Sequence, residues 1–260
     1  LHLPDTIDFA GESFPILSPD LRERFDRELL VNTYWQSNMM LILKRSNRFF
    51  PLIERVLKEE GVPCDFKYLA VIESGLENVI SPAGAKGFWQ IMRSTGKEYG
   101  LEINNNVDER YHVEFSTRVA AKYLKKAKEK FGSWTLAAAA YNRGINGIQG
   151  KLANQKVENY FDLFLGEETS RYVFRIFAVK EIIENPTKYG YIYKKTDLYK
   201  NIPVRIHGLD TPINNIASFA KKMGVNYKIL KIHNPWLIQN HLNNKSRKYY
   251  EIAIPEKGYY

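Results

Sequence analysis

The sequence lacks the features that mark several large classes of protein. Cys64 is its one cysteine, which excludes an intrachain disulfide. No apolar run approaches the roughly 20 residues that a membrane-spanning helix needs. The five histidines show no metal-ligand spacing, and no glycine-rich phosphate-binding loop occurs. We therefore predict neither a metal nor another cofactor.

Charge alone does not identify a partner for this chain. The net charge of +9 favours polyanions such as nucleic acid, anionic lipid or an acidic cell-wall polymer. The lysines are spread out, however, and the densest group, 122–130, lies on a helix whose apolar residues occupy another face. That pattern is typical of a solvated helix face, and zinc-finger spacing and RNA-binding aromatic signatures are absent. Specific nucleic-acid binding is therefore not predicted.

The chain of 260 residues, 44% of them hydrophobic, can bury one large core, or one medium and one small core. Hydrophobic periodicity predicts a mainly α chain up to residue 186. Residues 1–19 are Pro-rich and aperiodic, and we predict an N-terminal arm without a strand. The helices that we predict next, within a domain over 20–186, cover residues 20–44, 51–60, 65–74, 114–131, 134–143 and 170–184. Residues 187–201 are predicted to be a linker or wrapping segment.

The pattern changes in the last quarter of the chain. A strand is predicted over 204–207, helices over 211–223 and 227–233, and a closing strand over 250–254. Strand, helix, helix and strand within about 50 residues indicate a small βααβ domain, which we place at 202–257.

Glu73 is the strongest candidate for a catalytic residue. It follows four apolar residues, 69–72, so it should lose water with them, and desolvation raises a carboxyl pKa toward the range of a general acid. Glu77 is close in sequence, but Gly75 and Leu76 should end the helix first, which leaves Glu77 on the surface. A single acid suggests a substrate that supplies its own nucleophile. A helix-end glutamate satisfied by backbone amides is the alternative.

Two later segments carry groups that suit sugar binding. In 87–91, Gly87 allows close backbone approach, and the Gln90 amide can donate and accept hydrogen bonds. In 140–144, Tyr141 and Asn142 stand at a helix end, where Asn is also ordinary capping chemistry. Taken in order with Glu73, they indicate cleavage of a sugar chain.

Four ordered segments, 73–75, 87–91, 140–144 and 168–173, resemble the motifs of the lysozyme-like lytic transglycosylases, glycoside hydrolase family 23. Trp89 and the preceding 81–85 look most like the membrane-bound murein transglycosylase D type. The resemblance covers about residues 20–190. It implies a helical domain of the goose-type lysozyme and soluble lytic transglycosylase kind.

The resemblance also implies an activity and a set of site residues. The family cleaves the β-1,4 bond between N-acetylmuramic acid and N-acetylglucosamine in peptidoglycan as a carbon–oxygen lyase, leaving a 1,6-anhydro end. Glu73 is implied to be both acid and base. The implied substrate-binding residues are Ser74, Gly87, Gln90, Tyr141, Asn142, Glu168 and Tyr172.

The C-terminal domain resembles a LysM module, a peptidoglycan-binding unit. The matching pieces lie at 204–206, 210–211, 216–217, 224–225, 230, 234 and 252–255. The segments 207–209 and 249–250 depart from the pattern, so glycan binding and a purely structural role both stay open.

Two other functions are compatible with these residues. A hydrolytic muramidase would share Glu73 but would need a second group to position water. A non-catalytic peptidoglycan-binding protein would gain nothing from a costly buried acid. By resemblance, the protein is expected in the periplasm of a Gram-negative bacterium. Because the chain begins at Leu1 without a methionine, an outer-membrane association through a removed N-terminal segment is left open.

Overall fold

The computed structural model describes residues 3–259, and within them the chain is mainly α, as predicted. The helices are α1 (Pro19–Tyr34), α2 (Gln36–Glu59), α3 (Lys67–Ser74), α4 (Arg93–Glu98), α5 (Val113–Phe131), α6 (Trp134–Arg143), α7 (Ile145–Gln155), α8 (Glu167–Glu184), α9 (Ile216–Lys222) and α10 (Tyr227–His233). The strands are β1 (Thr6–Phe9), β2 (Glu12–Pro15), β3 (Val204–Leu209) and β4 (Tyr250–Pro255). β1 pairs with β2, and β3 pairs with β4, both antiparallel.

The chain forms two compact units that interleave in sequence. Of the described residues, the first unit contains 3–76 together with Ala120–Tyr199. The second unit contains Glu77–Val119 together with 200–259. Helix α5 therefore begins in one unit and ends in the other.

A hairpin near the N-terminus corrects the prediction of a strandless arm. β1 and β2 pair in the register Thr6↔Pro15 to Phe9↔Glu12, across a turn in which Ala10 and Gly11 both have positive φ. The strands have four residues each, which is too short for a clear alternation in the sequence. Glu12 then accepts hydrogen bonds from the Trp134 and Thr135 amides at 2.5 and 3.0 Å, at the start of α6.

The boundary between the first two long helices also differs from the prediction. We predicted helices over 20–44 and 51–60, whereas the break lies at Trp35 and α2 continues through Pro51. Proline removes one intrahelical donor. The helix accommodates this loss with one buried apolar face that extends to both sides of the proline, formed by Met39, Ile42, Leu43, Ile53, Val56 and Leu57.

Local capping chemistry decides several helix ends. The Ser133 side chain accepts from the Leu136 amide and starts α6, which ends at Gly144 with φ +82°. The Asn226 side chain starts α10 in the same way.

Two predicted helix starts are wrong by a few residues. Helix α8 begins at Glu167 rather than at residue 170, so its first turn includes Glu168 and Thr169. Helix α9 begins at Ile216 rather than at residue 211, because the Asn215 side chain caps it through the Ser218 amide at 2.8 Å.

The segment between α8 and β3 lies along the first two helices of the first unit. The Tyr191 hydroxyl donates to the Thr33 carbonyl at 2.5 Å, and the Tyr199 amide donates to the Lys44 carbonyl at 3.2 Å. The segment is therefore held to these helices at Tyr191 and at Tyr199.

The C-terminal residues form the predicted βααβ arrangement. β3 and β4 pair from Val204↔Pro255 to Leu209↔Tyr250, with α9 and α10 between them in sequence. Their core is apolar and includes one residue from far earlier in the chain, Val107, which is fully buried there. The small domain therefore shares its core with a loop that follows α4.

Candidate active site

Glu73 lies at the C-terminal end of helix α3, after a run of buried residues. Tyr68, Leu69, Ala70 and Val71 are buried on this helix, whereas Glu73 is partly buried near its C-terminal end. Gly75 caps the helix with φ +61° and donates to the Val71 carbonyl at 2.7 Å. Leu76 is also left-handed, and Glu77 is exposed beyond it. The prediction that Glu77 leaves the helix and reaches the surface is confirmed.

Two residues of α8 hold Glu73 and the backbone beside it. The Tyr172 hydroxyl donates a hydrogen bond to Glu73 Oε1. Arg175 donates to the Ile72 carbonyl at 3.1 Å. A spacing of three residues places Tyr172 and Arg175 on one face of the helix. That face therefore fixes the orientation of the carboxyl group.

Burial raises the pKa of Glu73 to about 7, as predicted in direction. The hydrogen bond from Tyr172 and the charge of Arg175 both lower this pKa, and the nearby charge of Glu168 raises it. Desolvation outweighs the two lowering effects. The carboxyl group can therefore exchange a proton near neutral pH.

A second tyrosine stands near the carboxyl group. Burial, followed by the charge of Glu73, raises the pKa of Tyr141 well above its ordinary value, so its hydroxyl stays protonated. The Tyr141 ring packs edge-on against Tyr123 at 5.5 Å, and the Tyr123 hydroxyl donates to the Ala140 carbonyl at 3.0 Å. The end of α6 is thereby held against α5.

Asn142 connects the end of α6 to the start of α8. Its side-chain nitrogen donates to Glu168 at 3.0 Å, and its side-chain oxygen accepts from the Thr169 hydroxyl at 2.7 Å. Ser74 is turned back to its own helix, where its hydroxyl donates to the Ala70 carbonyl at 3.1 Å.

Gly87 and Gln90 belong to a tight turn of the second unit. Gly87 has φ +78°, and a Cβ atom there would lie 2.1 Å from the Arg110 carbonyl oxygen, so only glycine fits. Gln90 also has positive φ, at 46°. Its side-chain nitrogen donates to the Gly87 and Val79 carbonyls at 2.8 and 3.1 Å. The amide is thus part of the turn's own hydrogen bonding.

The first unit contains six of the eight residues predicted for the site, which are Glu73, Ser74, Tyr141, Asn142, Glu168 and Tyr172. Gly87 and Gln90 lie in the second unit. Arg175 and Tyr123 also contribute contacts to this region, and neither was predicted from the sequence. The three-residue spacing from Tyr172 was a usable signal for Arg175, whereas nothing local distinguishes Tyr123 from a core aromatic.

Two kinds of feature are absent from residues 3–259. No cluster of three or more His, Cys, Asp or Glu side chains could hold a metal ion there. Within the same residues, none of the helices has the length and apolarity required to cross a bilayer.

Replacing Tyr172 by Phe should raise the pKa of Glu73 above about 7, because the lost hydrogen bond favours the ionised carboxylate. The loss of one hydrogen bond to a charged group should raise the pKa of Glu73 by roughly one unit. Carboxyl-carbon NMR titration measures this value directly. Tyr160→Phe is the control, since the Tyr160 hydroxyl bonds backbone carbonyls at the start of α8 instead. An unchanged or lower Glu73 pKa in Tyr172→Phe contradicts the expectation.

Comparison with known families finds two matches along the chain. Residues 51–164 match the transglycosylase SLT domain, which is lysozyme-like, and residues 206–258 match the soluble lytic transglycosylase C-terminal LysM-like domain. Residues 51–164 and 206–258 are therefore similar to two domains that are named for lytic transglycosylases. Six predicted site residues, from Glu73 to Asn142, fall inside the SLT match, whereas Glu168 and Tyr172 lie just beyond its end.

Among individual proteins, the chain is similar to membrane-bound lytic murein transglycosylase D of Escherichia coli. It is 28% identical over 258 residues to the proteins of strain K12 and strain O6:H1, which covers 96% of this chain. The chain spans 55% of the length of these relatives.

A solved structure is also similar in part. It is an inactive mutant of the lytic transglycosylase Slt from Pseudomonas aeruginosa, 19% identical, with a TM-score of 0.41. The match covers 58% of this chain and 26% of that chain.

Proposed function

We propose that this chain is a peptidoglycan lytic transglycosylase in which Glu73 acts as both acid and base. It cleaves the β-1,4 bond between N-acetylmuramic acid and N-acetylglucosamine and forms 1,6-anhydromuramyl ends. The observation that carries the proposal is the state of Glu73, a partly buried carboxyl with a pKa of about 7 that accepts a hydrogen bond from Tyr172.

The first step needs Glu73 as a neutral acid. Its proton goes to the glycosidic oxygen while the bond from that oxygen to C1 of the muramyl sugar breaks. A pKa of about 7 keeps a large fraction of the carboxyl protonated at neutral pH. The leaving N-acetylglucosamine then carries the proton as a hydroxyl, and positive charge develops at C1.

The second step needs Glu73 as a base. The carboxylate removes the proton from the muramyl 6-hydroxyl as that oxygen bonds to C1 and closes the anhydro ring. Glu73 ends protonated as it began, and no water is consumed. One carboxyl group is therefore sufficient for both steps.

The other site residues support these two steps. The protonated Tyr172 hydroxyl stabilises the carboxylate formed between them. Tyr141 stays protonated and can serve as a donor close to the same charge. Asn142, linked to Glu168, anchors the end of α6. Gln90 is held by its amide nitrogen, which leaves the amide oxygen to accept from a sugar hydroxyl or acetamido group.

The proposal extends to the other parts of the chain. Residues 20–186 would contain the catalytic function and 202–257 the LysM-like domain, with 1–19 and 187–201 as the arm and the wrapping segment. The substrate is the peptidoglycan glycan strand, which places the protein in the cell envelope. A relative named as membrane-bound supports an outer-membrane association in the periplasm of a Gram-negative bacterium.

Product analysis tests the proposal. Purified peptidoglycan is digested with the wild-type protein and with Glu73→Gln, and the products are identified by mass spectrometry. We expect anhydromuramyl ends from the wild type only. Reducing ends would instead indicate a hydrolytic muramidase, and no products from either protein would indicate a non-catalytic peptidoglycan-binding protein.

A further inference from the structure

A buried ion pair contacts the turn that carries Gly87 and Gln90. Asp108 and Arg110 are each only 2% exposed. Arg110 Nε donates to Asp108 Oδ1 at 2.8 Å, and Arg110 Nη2 donates to Oδ2 at 2.7 Å. This two-pronged geometry fixes the plane of the guanidinium group, which a lysine could not reproduce.

The remaining groups of Arg110 hold residues 81–91, which we term the Gln90 turn. Arg110 Nη1 donates to the Gly84 carbonyl at 3.1 Å and to the Ile91 carbonyl at 3.2 Å. The Arg110 backbone oxygen occupies the space where a Cβ atom of Gly87 would lie. One residue thus supports the turn at its middle and near its end.

The loop that contains Asp108 and Arg110 also bonds directly to the C-terminal LysM-like domain through its residues 106–108. The Asp108 amide donates to the Trp236 carbonyl at 2.9 Å, and the Ile238 amide donates to the Asn106 carbonyl at 2.9 Å. Val107, between them, is fully buried in the core of that domain. The loop therefore contacts the Gln90 turn on one side and the C-terminal core on the other.

Two ion pairs also join this loop region to the C-terminal domain. Lys248, just before β4, contacts Glu102 at 2.6 Å and Glu109 at 3.0 Å. The Tyr250 hydroxyl also donates to both carboxylate oxygens of Glu102 at 3.0 Å. These contacts come from two parts of the chain about 140 residues apart.

We propose that Arg110 is a positioning residue for Gln90, and that the LysM-like domain supports the substrate-binding turn through the loop that contains Asp108 and Arg110. This rests on the proposed function insofar as Gln90 contacts the glycan. The C-terminal domain then contributes to cleavage even where it binds no glycan itself, because it holds the loop that orients the turn.

The test compares Arg110→Lys with a matched control, Arg247→Lys. Arg247 belongs to the same unit but pairs with Asp210 at 3.2 Å on the surface. Two quantities are measured, amide hydrogen exchange across residues 84–91 and the kinetic constants for a soluble glycan substrate. We expect Arg110→Lys to accelerate exchange at these amides about tenfold and to raise KM about tenfold, with kcat within about twofold. The control should change neither quantity.

Val107→Ala examines the connection from the C-terminal core, and it decides the matter if Arg110→Lys does not fold. It should also accelerate exchange across 84–91 while leaving exchange in α8 unchanged. Unchanged exchange there in a folded variant, or faster exchange with an unchanged KM, overturns the proposal. A wild-type protein without activity would refute the proposed function alone, since hydrogen exchange still tests the coupling.

Discussion

Replacing Glu73 by Gln should lower the rate of glycan cleavage by roughly 10³-fold. Gln has nearly the same shape and can still accept the hydrogen bond from Tyr172, but it can neither donate the catalytic proton nor recover one. The loss should therefore appear in kcat, with substrate affinity largely retained. Anhydromuramyl product formed per minute from purified peptidoglycan is the quantity to measure.

Glu77→Gln is the matched control for this substitution. Glu77 lies four residues further on, beyond the left-handed Gly75 and Leu76, and it is exposed. The same loss of a carboxyl group should leave its rate within about twofold of the wild type. Comparable rates for Glu73→Gln and the wild type would remove Glu73 from the mechanism.

The same Glu73→Gln variant should be more stable than the wild type at alkaline pH. The ordinary pKa of 4.5 applies to the unfolded chain, and burial raises the folded value to about 7. Between these values the folded state binds more protons, so wild-type stability falls as pH rises through this window. The full difference corresponds to roughly 3 kcal/mol in the free energy of unfolding.

Urea denaturation at several pH values measures this difference. The stability gain of Glu73→Gln over the wild type should be small near pH 4.5, grow up to about pH 7 and stay constant above it. Because both proteins share every other titrating group, their difference isolates Glu73. A difference that does not depend on pH contradicts a raised pKa for this carboxyl group.

These two predictions describe one compromise. A carboxyl group placed for catalysis lies where its ionised form is poorly solvated. Its ionisation therefore lowers the free energy of unfolding. Tyr172 and Arg175 reduce that cost, since both lower the pKa of Glu73. Stability lost at a functional group and recovered by its removal is a common trade-off in enzymes.

The sequence by itself determined the features that depend on near neighbours. The apolar residues 69–72 imply that Glu73 is desolvated, and Gly75 ends the helix before Glu77 can share its face. Ser133 and Asn226 start α6 and α10 by capping their own first turns. Each of these results needs only residues within one or two helical turns, so periodicity and capping rules reach them.

Only the tertiary structure decided the contacts between distant segments. Tyr172 meets Glu73 across 99 positions of sequence. Val107 lies in a core formed otherwise by residues after 208. Helix α2 continues through Pro51 because its buried face extends to both sides of the proline. Such contacts depend on how separate elements pack, and burial against a distant partner leaves no local period in the chain.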